Sequence, residues 1–403
     1  MNKKILILIL VVILILGGVA FYIFGGKQAI QGVQQAVDGT PFGSVGGNRT
    51  NTGQTQTDRA GGGLQVSIPN QSGAVLKKLV EVPVAGFTFM GSGASTSIRY
   101  AEGGTGRIAD IKVATSEVTI PPTFADTQSR VVVAYFFNQG RSIVRFKEND
   151  DGTLSGLYSN LASSTPIKKL TSSILFFDTN ITEDKAIFVV QNGLGSNSYI
   201  SSPDGTEQKL LWQGALQSIA LQALNKDAIT IQTKPSIASN GAVFNLVGSI
   251  PQFMFSGGSG FKANLSADGT LAIFSDYTNV GSPIQIFNKT KNLKRNLFIK
   301  TVPEKCIWSK TKTDIFFCFS FKGKVDALPD DWYLGGRFLN ADSLWKFSEK
   351  NDVSVVAFDF SSAEEKIDPI NLRLSKDEQV IGFLNKKDGS LWAIDLARTD
   401  FGF

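Results

Sequence analysis

Ser266-Ala267-Asp268-Gly269-Thr270-Leu271-Ala272-Ile273-Phe274 is the stretch on which the fold turns. A polar turn containing Asp-Gly leads directly into four residues of strand character. Similar apolar runs stand on either side. Ala186-Ile187-Phe188-Val189-Val190 and Ala228-Ile229-Thr230-Ile231 precede it, and Asp314-Ile315-Phe316-Phe317 follows. Ile187 to Ile229 is 42 residues; Ile229 to Ala272 and Ala272 to Ile315 are 43 each. In each passage another short apolar strand lies before the turn. A period of about 40–45 residues with several short strands per unit is that of a propeller blade.

Working outward, short strands and turns fill the chain from Gly73 onward, with no long stretch of helical periodicity. The fold class is all-β, a β-propeller of seven four-stranded blades. Blade 1 is expected near 84–119, and blade 2 around Val131-Val132-Val133-Ala134-Tyr135-Phe136-Phe137 and 142–146. Blade 3 centres on 186–190, blade 4 on 219–246, blade 5 on 261–287, blade 6 on 305–347 and blade 7 on 370–395. The steps between the first three blades are less regular, which leaves six or eight blades open. Blade 7 ends after Leu391-Trp392-Ala393-Ile394-Asp395-Leu396 without an outer strand, and Ala74-Val75-Leu76-Lys77-Lys78-Leu79 has no blade of its own. Placing this segment on blade 7 would join the two ends of the domain and remove exposed edges.

At these repeats the chain resembles the TolB-like and WD40-like (PD40) bacterial propellers. Ser266–Phe274 and Ser375-Lys376-Asp377-Glu378-Gln379-Val380-Ile381-Gly382-Phe383 carry the Ser-Pro-Asp-Gly-like turn before an apolar strand. Ser202-Pro203-Asp204-Gly205 is a similar turn used after the third strand of its blade. The resemblance covers about 75–396 and implies a binding platform rather than a particular chemistry.

Upstream, Asn2-Lys3-Lys4 precedes 5–24, twenty residues without a charge. That length suits a membrane-spanning helix, and the leading lysines place the N-terminus in the cytoplasm and the rest outside. Residues 1–24 are therefore expected to be a signal anchor, with the propeller extracytoplasmic in a bacterial cell envelope. The rival reading, a signal peptide cut after Ala20, leaves Phe21-Tyr22-Ile23-Phe24 exposed. Residues 25–72, rich in Gly, Gln, Thr and Asn, read as a disordered linker, and 73–403 as the propeller domain.

Composition removes several chemistries. The 403 residues include no His, which excludes Ser-His-Asp and Cys-His catalysis and His-ligated zinc. A net charge of +5 is mild at this length, and export argues against nucleic acid as partner. The turns Asp151-Gly152, Asp204-Gly205, Asp268-Gly269 and Asp388-Gly389 sit on different blades. They read as hairpin turns rather than calcium ligands, and no metal or cofactor is expected.

Three features stand out. About 17 extra residues separate the second and third strands of blade 6, an insert at 322–342 containing Asp330, Asp331, Trp332 and Tyr333. Aromatics beside carboxylates on a loop suit sugar or peptide recognition; folding back as a cap is the structural alternative. A basic run comprises Lys289, Lys291, Lys294, Arg295, Lys300 and Lys305, with Lys310 and Lys312 beyond it. Gathered on one face it would attract an anionic polymer; dispersed, it is ordinary solvated surface. Cys306 and Cys318 are equidistant from Lys312 and would face each other across a hairpin, as a disulfide or as two buried thiols.

These readings converge on a membrane-tethered, non-catalytic module that binds a protein or an envelope polysaccharide. The alternatives are a carboxylate- or calcium-dependent enzyme of glycoside hydrolase or lactonase type, and a binder of anionic envelope polymer. Against the enzyme, the innermost strands read as mainly apolar: Phe176-Phe177, Ile219-Ala220-Leu221, Phe261, Cys306-Ile307-Trp308 and Leu372.

Overall fold

The computed structural model describes residues 65–67, 75–121, 130–147, 154–162, 168–170, 174–180, 182–225, 228–277, 284–322, 330–333 and 335–396. The expected anchor at 1–24 and the Asp151-Gly152 turn lie outside them. Among the described residues no helix is long and apolar enough to cross a membrane.

The described chain forms seven sheets, one per blade, each with four strands in antiparallel order. Blade 1 is Val84–Met90, Ser97–Glu102, Ile108–Lys112 and Val118–Thr119. Blade 2 is Val131–Phe136, Arg141–Lys147, Leu154–Asn160 and Lys168–Leu170. Ile174–Thr179 opens blade 3, Ile219–Ala223 blade 4, Lys262–Leu265 blade 5, Cys306–Trp308 blade 6 and Pro369–Leu374 blade 7. The first strand of every blade lines the central channel. The repeat is therefore real, and the blade count is seven.

Blade 7 closes as the sequence reading expects. Val75–Val80 pairs antiparallel with Leu391–Asp395, in the register Leu76 to Ile394 and Lys77 to Ala393. The strand nearest the N-terminus of the domain thus completes the blade nearest its C-terminus. One strand is new. Gln65–Ser67 pairs in parallel with the outer strand of blade 6, Val353–Asp359, making that sheet five-stranded. It lies inside the stretch expected to be structureless linker.

The period of 42–43 residues has a packing cause. Each of the seven gaps between neighbouring blades holds its own apolar core. Second strands are consequently buried on both faces. In Ile315–Phe321 every residue is buried; Ile315, Phe317 and Phe319 pack towards blade 7, whereas Phe316 and Cys318 pack towards blade 5. A continuous apolar run is what a strand buried on both faces requires. Close approach is needed as well. A Cβ on Gly86, in the first strand of blade 1, would stand 2.1 Å from the Ala134 carbonyl oxygen of blade 2.

Polar bonds fasten blade to blade around the channel. The Tyr135 hydroxyl donates to the Phe177 carbonyl (2.9 Å), and Gln222 Nε2 donates to the Leu265 carbonyl (3.1 Å). Asn264 Nδ2 donates to the Cys306 carbonyl (2.9 Å), and Trp308 Nε1 returns a bond to the Asn264 carbonyl (3.0 Å). The Asp-Gly pairs serve as turns. Gly205, Gly269 and Gly389 all have positive φ, and Asp268 Oδ1 accepts from the Thr270 amide (3.1 Å).

Cys306 and Cys318 are directly paired across the hairpin and joined as a disulfide, buried between blades 5 and 6. The bridge spans 12 residues. Closing a loop of that size restricts the unfolded chain by about 3 kcal/mol. Replacing both cysteines with Ala is expected to lower stability by about that amount, measured by urea unfolding. An equal midpoint for the bridged and cysteine-free proteins would mean that the bridge does not constrain the unfolded chain.

Candidate functional site

The channel has two vestibules of about 520 Å³ each. Asp178, Gln222, Asn264, Cys306, Asn371 and Leu372 border both and form the waist between them. The apolar reading of the inner strands needs correction here. Strand alternation turns Phe177 and Leu221 into the gaps between blades and leaves their neighbours Asp178 and Gln222 on the channel. Polar side chains thus line the axis of a protein whose inner strands look hydrophobic on average.

One vestibule is bounded by the inner strands and by Glu183, from the first hairpin loop of blade 3. Glu183 sits in the left-handed region (φ 53°). Its carboxylate accepts from Arg373 Nη1 of blade 7 (2.9 Å) and from the Thr88 hydroxyl of blade 1 (3.3 Å). Blades 1, 3 and 7 are linked through that one side chain.

The other vestibule has the blade 6 insert at its rim. Asp330–Tyr333 forms one helical turn. The Asp330 carboxylate accepts from the Ile237 amide (3.0 Å) and the Ser236 hydroxyl (3.3 Å) of blade 4, so the insert reaches past blade 5. Trp332 is 4% exposed and packs with Val302, Phe321 and Leu339. Its Nε1 donates to Asp368 Oδ2 (3.1 Å), and the same oxygen accepts from the Leu339 amide (2.8 Å). The other Asp368 oxygen pairs with Lys305, and both side chains are fully buried. Burial pushes the Lys305 ammonium below its ordinary value, against the pull of Asp368. The Lys386 ammonium lies over the Trp332 ring at 4.7 Å and donates to the Trp332 and Arg337 carbonyls.

The four insert residues therefore divide. Trp332 and Asp330 are braces, and the ring of Trp332 is not available on the surface. Asp331 is exposed, and Tyr333 is 37% exposed with its hydroxyl donating to Glu304. Burial of that hydroxyl, then the Glu304 carboxylate, holds the Tyr333 pKa well above its ordinary value. Phe338, 45% exposed, joins the same surface beside Lys386 and Lys387. The sequence reading missed it; an aromatic residue in an insert of that length was the available signal.

The basic run also divides. Lys289, Lys291 and Lys294 are exposed at the outer edge of blade 5, and Lys300 is exposed where the chain passes to blade 6. Lys294 donates to the Ser256 carbonyl (3.0 Å). Arg295 is neutralised by Glu349 of blade 6, with Asp352 at 3.6 Å. Lys305 does not belong to this surface, since it is buried against Asp368. Among the described residues no group of three or more Cys, Asp or Glu is placed to hold a metal ion.

Solved structures with a similar fold include an oligogalacturonate lyase in complex with manganese (10% identity, TM-score 0.47), covering 81% of this chain and 98% of that one. A puromycin-hydrolysing peptidase of Mycobacterium tuberculosis matches at 9% identity and TM-score 0.46, over 76% of this chain and 52% of that one. The C-terminal WD40 domain of Sif2 matches at 12% identity and TM-score 0.45, over 77% and 81% respectively. At such identities the likeness concerns the propeller fold alone. No protein-family model and no curated protein matches the chain.

Proposed function

We propose that this protein is a membrane-tethered, extracytoplasmic binding module that holds a protein or an envelope polysaccharide on the insert surface of blade 6. The observation that carries the reading is the bracing of the insert. Asp330 ties it to blade 4, and Asp368, Lys305 and Lys386 hold Trp332 beneath it. Tyr333 lines the vestibule, and Asp331 and Phe338 are exposed beside it, on described parts of the insert that these contacts hold in place. The TolB-like turns at Ser266–Phe274 and Ser375–Phe383 and the apolar run at 5–24 support a tethered platform.

The test is recovery of partner by cross-linking full-length protein in its own membranes, with co-sedimentation against purified wall material alongside. The Phe338→Ala, Asp331→Ala double variant should lose at least about tenfold in partner recovered, as expected when central interface residues are truncated. A triple Lys289, Lys291, Lys294→Ala variant should retain it. The reverse pattern, with binding abolished by high salt, would transfer the site to the outer edge of blade 5 and favour an anionic polymer.

A second reading, a carboxylate-based enzyme, has one observation in its favour. Asp178 and Glu304 border the same vestibule, and burial raises the Asp178 carboxyl above its usual range. Turnover of an envelope glycan that disappears in Asp178→Asn would establish it.

A further inference from the structure

The vestibule beneath the insert holds charged groups that the fold does not use. Several polar side chains of the vestibule are engaged: Gln222, Asn264 and Gln232 all bond to the neighbouring blade. Three groups are different. Glu304 uses one oxygen to accept from Tyr333, and its Oε2 is buried with no hydrogen-bond partner. Asp178 accepts only from the amide of its neighbour Thr179 (2.8 Å) among the described residues. Lys262 has no hydrogen bond or ion pair among the described residues, and it borders the same vestibule as Glu304 and Asp178.

All three side chains are half-buried at the vestibule wall, and an acceptor shut away from water without a partner, as Glu304 Oε2 is, costs stability. Such groups are retained where something else completes them. The complement of two carboxylates and one ammonium is a molecule that carries its own ammonium and its own carboxylate. We propose that this vestibule binds a zwitterion of the α-amino acid class, its ammonium received by Glu304 and Asp178 and its carboxylate by Lys262. This site lies inside the vestibule and adjoins the partner surface proposed for its rim, with Tyr333 common to both.

An acidic sugar would meet the same charges, with hydroxyls donating to the carboxylates. It is disfavoured by the aromatic wall. A pyranose would use a free ring face, and Trp332, the largest ring at this rim, already has Lys386 at 4.7 Å and Lys305 at 5.6 Å over it. The vestibule, at about 520 Å³, is within the range of sites for small molecules.

The experiment titrates the twenty common amino acids, and D-glucuronate, into full-length protein in detergent, by calorimetry and thermal shift. At least one amino acid should bind, and its N-acetyl and amide derivatives should bind at least about tenfold more weakly, since each removes one charge. Glu304→Gln and Lys262→Met should each weaken binding by a similar factor. Lys262→Met should melt no lower than wild type without ligand, because it removes an unpaired ammonium. Tyr333→Phe, which leaves Glu304 charged, should still bind. Absence of binding at about 10 mM for every amino acid would overturn the proposal. So would binding of the derivatives equal to the parent, unchanged binding in both charge variants, or binding of D-glucuronate alone.

Discussion

Deleting residues 73–80 is expected to cost the propeller on the order of 5 kcal/mol or more and to expose it to aggregation. Val75–Val80 supplies the fourth strand of blade 7. Without it the Leu391–Asp395 strand becomes an open edge, with unpaired amides and carbonyls ready to pair with another chain. Val80 and Leu79 pack in the core between blades 7 and 1, and Leu76 against the core between blades 6 and 7. Fully burying one such side chain contributes about 1.5–3 kcal/mol; Val80 is buried and Leu76 and Leu79 partly so, and the lost strand hydrogen bonds make up the rest of the stated figure. A fall in melting temperature on the order of 10 °C or more should follow, with visible loss of soluble protein. Scanning calorimetry beside size-exclusion chromatography would decide it. An unchanged melting curve would mean that the first blade, not this strand, holds the two ends of the domain together.

The second large effect is centred on Asp368. Its carboxylate receives the Lys305 ammonium, the Trp332 indole and the Leu339 amide at once. Asp368→Ala leaves the Lys305 ammonium buried without an acid, which costs about 3–5 kcal/mol. It also removes the bond that holds the insert. Two readouts should therefore move together: the unfolding midpoint should fall, and the insert should become sensitive to limited proteolysis. The double variant Lys305→Met, Asp368→Leu separates them. Replacing both charges with apolar residues should restore much of the stability. It should leave the insert protease-sensitive, because neither new side chain can accept from Trp332 or Leu339. A double variant that remained as unstable as Asp368→Ala would show that the cost lies in the lost indole and amide bonds rather than in the stranded ammonium.

Much of the architecture is written in local sequence. A blade is one hairpin pair with its turns, and the gap between two blades demands the same apolar run each time, so the period repeats. Ile187, Ile229, Ala272 and Ile315 all occupy second strands or their borders, and all are buried in gaps between blades. The pairing of Cys306 with Cys318 follows from the same logic, since a short hairpin fixes which residues stand opposite. The extra length at 322–342 was equally legible, because an insert breaks a regular step.

The site was less so. Charge on a sequence says nothing of what stands opposite it in space. Lys305 reads as one more basic residue among Lys289, Lys291 and Lys294, yet it is fully buried because Asp368, from another blade, meets it there. For Trp332 the sequence leaves recognition and folding back as a cap both open, and the structure takes the second, its indole turned inward to that same carboxylate. Gln65–Ser67 has too few apolar residues to announce a strand. It is one because the outer edge of blade 6 offers it backbone partners.

Local sequence thus determined the blade period, the closing segment, the facing of the two cysteines and the place of the insert. Each depends on patterns within one or two hairpins, where alternation and turn chemistry act at short range. Tertiary structure alone decided which charges are buried, which face of the insert is exposed and which groups meet in the channel. Those depend on residues brought together from blades far apart in the chain, and burial, which sets the cost of a charge, does not exist until the ring of blades has closed.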